Sequence, residues 1–158
     1  MRSSKILPLE AAARAIGRRR RRGERVVFTN GCFDLVHAGH ARYLNRARAL
    51  GDVLVIGLNT DASVRRLKGP SRPIVRQRHR AQMLAALGCV DYVVFFPDPT
   101  PERLIRALKP DVLVKGADWK ADEIAGGRFV RSYGGRVTTV PLVRGLSTSE
   151  IIRRIKKS

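Results

Sequence analysis

The run Phe28–Leu44, FTNGCFDLVHAGHARYL, holds two of the chain's three histidines, His37 and His40, where a short apolar run gives way to helix-like sequence. On a helix that spacing sets both imidazoles one turn apart on one face. Gly39 removes a side chain near the helix N-terminus, where free backbone N–H groups and the helix dipole favour a phosphate. Imidazoles so placed can donate hydrogen bonds to oxygens that gain charge as a phosphoryl centre becomes five-coordinate, a role that needs donors rather than strong bases. The same residues also fit a helix cap with a polar filler. A zinc site is the other rival, but HxxH supplies too few ligands and neither Cys32 nor Cys89 has the spacing to complete a closed site.

Any nucleotide here is held by an unusual device, because the chain has neither GxxxxGK[ST] nor GxGxxG. Readings as a P-loop kinase or a dinucleotide-dependent oxidoreductase lose their main support.

Positioning the histidines requires a strand before them and a helix after. RVVFT (25–29), DVLVIGL (52–58) and DVLV (111–114) are apolar and mostly β-branched without alternation, as buried parallel strands are. YVVFF (92–96) and RVTTV (136–140) are each followed by proline, which suits a strand end. Helical patterns alternate with them over 38–50, 76–87, 101–108, 121–133 and 148–157, so right-handed βαβ units are the economical solution. Gly51 and Gly88 stand where left-handed C-caps are wanted, and Pro101 suits a first helical turn. The expectation is one Rossmann-like three-layer α/β/α domain over 25–158 with a five-stranded parallel sheet, preceded by a basic helical extension over 1–24. Ligands of such sheets collect beyond the carboxyl ends of the strands, which is where the paired histidines fall.

The chain's 158 residues, 44% hydrophobic, suffice for one core without metal or disulfide staples. Its 32 basic and 13 acidic residues give +19, with nine basic and two acidic residues in 1–25. Such a balance favours an anionic partner. Arg18–Arg22 reads first as a solvated helix end, because a nucleic-acid contact would want interleaved aromatics for stacking. Two cysteines form no disulfide framework, and no apolar run reaches the length of a membrane span or follows a signal-peptide plan. A cytoplasmic protein with no membrane partner is expected.

GCFDLVHAGH resembles the HxGH signature of the nucleotidyltransferase superfamily, carried by His37, Gly39 and His40 behind Phe33 and Asp34. LNTDASVRRLKGPSRPI, LAALGCVDYVVFF, LKPDVLVKGADW and GLSTSEII extend the resemblance over about residues 25 to 155, toward the D-glycero-β-D-manno-heptose 1-phosphate adenylyltransferases. The resemblance implies attack of a sugar 1-phosphate oxygen on the α-phosphorus of ATP, with Mg²⁺. The products are pyrophosphate and an ADP-heptose for lipopolysaccharide core or related surface glycans. It further implies catalytic roles for His37, His40 and Lys68, and a nucleotide floor of Thr29, Asn30, Gly31, Phe33 and Gly39. Lys115, Gly116, Asp118 and Trp119 would hold the nucleotide, Ala117 standing where the family more often has glycine. Ser147, Thr148 and Ser149 would meet the β- and γ-phosphates, and also suit a helix N-cap. Asp34, Asn59, Asp61, Lys68 and Arg72 are assigned to the sugar phosphate, Asp34 orienting its loop rather than acting as a base. A flexible basic loop follows Asp61, with Arg65 and Arg66 read as a solvated face. Arg80 is a nucleotide contact or a core-packed stem, Trp119 a base stack or a core anchor, and the role of Arg144 stays open. A homodimer or higher homo-oligomer is expected, as is a separate heptose kinase. The rivals are a glycerol-3-phosphate cytidylyltransferase-like enzyme, separable by comparing CTP with ATP, and a basic nucleic-acid-binding protein, whose affinity would fall steeply with salt.

Overall fold

The five apolar runs form strands β1 (Val26–Gly31), β2 (Val53–Asn59), β3 (Tyr92–Phe96), β4 (Val112–Gly116) and β5 (Arg136–Val140) of one all-parallel sheet, in the order β3-β2-β1-β4-β5. The computed structural model describes residues 4–143 and 145–157; Arg144 lies outside them. Among the described residues, seven α-helices accompany the strands: α1 (Leu9–Arg20), α2 (Ala38–Arg48), α3 (Asp61–Lys68), α4 (Gln77–Ala86), α5 (Glu102–Leu108), α6 (Gly127–Ser132) and α7 (Thr148–Lys157).

Strand residues alternate between two buried clusters, which makes three layers. Val27, Leu54, Ile56 and Leu58 meet Leu44 of α2 and Leu84 of α4 on one face. Val26, Phe28, Val53 and Val55 meet Ile16 of α1, Ile105 of α5 and Val130 of α6 on the other. Both faces are covered, which is why the strands carry no polar alternation.

An aspartate before each of three strands sets the amino edge of the sheet. Asp52 accepts from the Arg25 N–H at 2.8 Å, Asp91 from Leu54 at 2.8 Å and Asp111 from Val26 at 2.7 Å. Each satisfies a donor that the neighbouring strand would otherwise leave unpaired as it enters the core. The N-terminal residues perform the same service at the β3 edge, where Leu7 donates to Val93 O and Val93 to Lys5 O.

Three local expectations are corrected. The basic stretch after β2 is helical over Asp61–Lys68: Thr60 caps α3 through Ser63 N, and Ser63 and Val64 are buried. Its single apolar turn among basic residues hides the helical period. Gly51 and Gly88 are absent from the left-handed residues. Gly51 serves close approach instead, since a Cβ there would lie 2.7 Å from Val27 Cγ2 and 2.8 Å from Arg25 O. The helix expected over 121–133 is divided into a 3₁₀ turn, Ala121–Glu123, and α6, because Gly126 is left-handed (φ 80°).

Replacing Asp111 with alanine strands the buried Val26 N–H, and urea denaturation is expected to show a loss of about 1–3 kcal/mol at unchanged m-value. A change within about 0.5 kcal/mol, the usual range for a neutral surface substitution, would contradict the capping role.

Candidate active site

The chain leaves β1 toward β2 and leaves β4 toward β5, so the strand order reverses between β1 and β4, and a crevice is expected at their carboxyl ends. The turn after β1 carries the paired histidines, and Lys115 and Gly116 end β4.

His37 is the N-cap of α2, its Nδ1 accepting from Gly39 N at 3.1 Å. His40 reaches back, its Nδ1 accepting from His37 N at 3.4 Å. A nitrogen that accepts from an amide carries no proton, so each neutral ring bears its hydrogen on Nε2. The helix cap and the pair of phosphate donors are therefore compatible uses of the same side chains. The ring centroids lie 4.0 Å apart. A Cβ on Gly39 would sit 2.8 Å from His37 Cε1, so the glycine first makes room for the capping imidazole. Burial lowers the pKa of His37. Burial, reinforced by His37 and opposed by Asp34, takes His40 down to about 4.

The turn between strand and helix is held from outside. Phe33 and Leu35 are both left-handed, at φ 46° and 50°, a conformation that side chains resist unless their surroundings over-determine it. The carboxylate of Asp34, 1% exposed, accepts from Arg72 Nε at 2.8 Å, Ile74 N at 2.8 Å and Val75 N at 2.9 Å. Its backbone carbonyl accepts from Thr148 Oγ1 at 2.7 Å. Those donors hold the Asp34 pKa below the carboxylate range against its burial. Arg80, also 1% exposed, donates to Val75 O at 2.9 Å, Cys32 O at 2.5 Å and Asp61 Oδ1 at 2.7 Å. Gln77 closes the network, its Oε1 accepting from Asp61 N and its own N donating to Asp61 Oδ1. Nothing in the local sequence marks Gln77, because its partner is sixteen residues away in a different helix.

Several of the expected contact residues have partners within the protein. Thr29 is fully buried, with its hydroxyl 2.7 Å from Tyr43 Oη, so it belongs to the core beneath the floor. Asn59, 3% exposed, donates to Ser63 Oγ. Asp34 and Asp61 spend carboxylate oxygens on the network just described, and Arg80 is a buried strut rather than a surface cation. Phe33 is buried against His40, with 5.4 Å between ring centroids.

Other residues do converge. Arg80 reaches Cys32 O, Arg72 reaches Asp34 and Lys115 reaches Asn30, which sets three cations around the end of β1; burial raises the Cys32 thiol and nearby cations oppose it. Lys68 is exposed at the end of α3. Lys115 donates to Asn30 O at 3.3 Å and Asn30 Oδ1 at 3.4 Å and lies 5.0 Å from the Trp119 ring centroid. Burial lowers its pKa, with Asp118 opposing. A Cβ on Gly116 would fall 2.5 Å from Asp118 Oδ1, so this glycine lets the following turn fold back. Gly31 similarly accommodates the Phe33 ring. Ser147 Oγ accepts from Glu150 N and begins α7, with Ser149 exposed beside it. Of the two arginines read as a solvated face, Arg66 donates to Pro97 O. Trp119 is 46% exposed, which excludes the core-anchor reading.

Among the described residues, no three His, Cys, Asp or Glu side chains gather where they could hold a metal. Asp34 and Asp61 already spend carboxylate oxygens within the protein, so neither stands ready to hold Mg²⁺.

A cytidylyltransferase-like family model matches residues 28–154. This chain belongs to the cytidylyltransferase-like family. Its relatives include the bifunctional protein HldE of Syntrophotalea carbinolica, 57% identical over 96% of this chain and 31% of that protein. The HldE protein of Citrifermentans bemidjiense is 55% identical over 98% and 32%. The chain thus spans about a third of the length of these curated relatives. A crystal structure of the lipopolysaccharide core biosynthesis protein from Thermoplasma volcanium superposes with a TM-score of 0.63 at 30% identity, covering 77% of this chain and 98% of that one. Pantothenate synthetase from Thermus thermophilus, at 20% identity and a TM-score of 0.58 over 96% and 70%, shares the fold. Among the described residues, this cytidylyltransferase-like domain has no helix long and apolar enough to cross a membrane.

The unfolded chain protonates His40 near 6.5 and the folded chain only near 4, so the unfolded state binds more protons between those values. Stability should therefore fall as pH drops through that window. NMR titration of the free protein is expected to show His40 as the Nε2–H tautomer with a midpoint near 4. A midpoint at its ordinary value would refute the buried, capping arrangement.

Proposed function

We propose that this domain transfers AMP from ATP to a heptose 1-phosphate. A phosphate oxygen of the sugar attacks the α-phosphorus, and the bond from that phosphorus to the oxygen bridging to the β-phosphate breaks. Pyrophosphate leaves and an ADP-heptose remains. The observation that carries the reading is the pair of neutral imidazoles, both Nδ1 atoms capping α2 and both Nε2–H groups left to donate. Donors fixed before the reaction stabilise charge that develops only in the transition state.

Lys68, Arg72 and Lys115 supply positive charge for the phosphates of the two substrates. The start of α7 adds the Ser147 and Ser149 hydroxyls. Asn30 and Gly31 form the nucleotide floor, and the exposed Trp119 offers a face to the base. Mg²⁺, when present, travels on the triphosphate, since the described side chains provide no cage for it. The heptose assignment rests on the chain-long resemblance, supported by the HldE relatives and the lipopolysaccharide core biosynthesis protein. A kinase acting on the sugar's anomeric hydroxyl must supply the substrate. A homodimer belongs to the same reading, with exposed Leu142, Leu146 and Ile155 offering apolar surface.

The family description itself raises CTP as an alternative nucleotide. With D-glycero-D-manno-heptose 1-phosphate and Mg²⁺, ATP is expected to yield pyrophosphate and an ADP-sugar, and CTP little of either. A preference for CTP with glycerol 3-phosphate would overturn the assignment. His40→Ala should lower kcat about 10²–10³-fold, the usual effect of removing one transition-state donor. An unchanged kcat in a folded variant would remove His40 from the mechanism.

A further inference from the structure

The arginine run at the end of α1 is not uniformly solvated. Arg19 pairs with Glu24, and Arg20 donates to the carbonyls of Leu108 and Lys109 at the end of α5. Arg18, Arg21 and Arg22 stay exposed, and Arg14, one turn before Arg18, joins them. Positions 14, 18 and 21 share one helix face. This face adjoins the amino ends of the strands, because Asp91, at the amino end of β3, helps to line it. The candidate active site is at the opposite end of the sheet.

Two hollows of about 520 and 490 Å³ open along this face, and Arg14 and Arg18 line both. Leu7, Ala11 and Ala15 give the first a small apolar wall beside Lys5, Arg19 and Asp91, and Ala13 and Gly17 line the other beside Arg21. The acid among them, Asp91, already accepts from Leu54 N and pairs with Arg48 at 3.3 Å. Glu10 stands one turn before Arg14, but among the described residues none of Arg14, Arg18 and Arg21 makes an ion pair.

We propose that this face of α1 docks an acidic segment of another protein, its carboxylates meeting Arg14, Arg18 and Arg21 and its small apolar side chains entering the hollows. Charge complementarity favours this occupant over a second copy, which would bring +19 against +19. A lipid surface would want large apolar side chains to insert, and the exposed ones, from Leu67 to Ile155, all lie outside α1. A nucleic acid would want exposed rings for stacking, whereas Tyr92, the aromatic residue here, is half-buried.

The test measures binding of a fluorescein-labelled amphipathic Glu/Leu peptide to the full chain by anisotropy at physiological salt. An all-Glu peptide and a single-stranded RNA of equal charge, and vesicles of phosphatidylserine and phosphatidylcholine, serve as competitors. The Glu/Leu peptide is expected to bind tightest. The Arg14→Ser/Arg18→Ser variant should weaken it about tenfold, the combined effect of two exposed charge pairs. Arg153→Ser/Arg154→Ser, on the exposed face of α7, should leave it unchanged. Absence of peptide binding, a loss shared by both variants or shown by neither, or tighter binding of RNA or vesicles would overturn the proposal.

Discussion

The buried carboxylate of Asp34 is the tie on which the site's geometry depends. It accepts from Arg72 and from two backbone N–H groups beyond the basic helix, while the same residue's carbonyl receives Thr148 from a segment 114 residues away. A carboxylate with almost no solvent must be fully satisfied by donors, or its burial would be prohibitive. The segments that supply those donors are consequently drawn to the turn after β1. Arg80 acts from the other side, holding Cys32 O and Val75 O while its charge is answered by Asp61. Between these two clamps the backbone accepts left-handed Phe33 and Leu35, and the chain enters α2 with His37 as its N-cap.

The electrostatic character of the site follows from that architecture. Burial keeps the imidazoles neutral, and the backbone amides of α2 hold their bare nitrogens inward. Positive charge near them comes instead from Arg72, 2.8 Å from Asp34, and from Lys115, 3.3 Å from Asn30 O. Hydrogen-bond donation and charge are thus assigned to different residues, a division suited to a reaction in which phosphates must be gathered and a phosphoryl centre stabilised without a strong base nearby.

Legibility from the sequence varied with the range of the interaction. The five strands read correctly because four hold apolar runs and the fifth, RVTTV, is β-branched and closed by proline, patterns that need no distant partner to announce them. α3 did not, since its one apolar turn is surrounded by arginine and lysine. Gly51 was legible as important but not for its reason, which is the approach of Val27 and Arg25 from another strand rather than a local turn. Thr29, expected in the nucleotide floor from the resemblance, has its hydroxyl on Tyr43, and Arg80, read as a nucleotide contact or a core-packed stem, is buried and donates to Cys32 O.

Residue type and spacing along one chain were enough to establish the parallel α/β architecture and the pairing of two imidazoles at a helix start, because each rests on contacts within a few residues or on a short periodic pattern. Which polar groups face a ligand and which are consumed as struts depended on partners sixteen to 114 residues apart, as in Gln77 with Asp61 and Thr148 with Asp34. A buried donor or acceptor is committed by whatever folding brings within about 3 Å, and no local pattern encodes that distance.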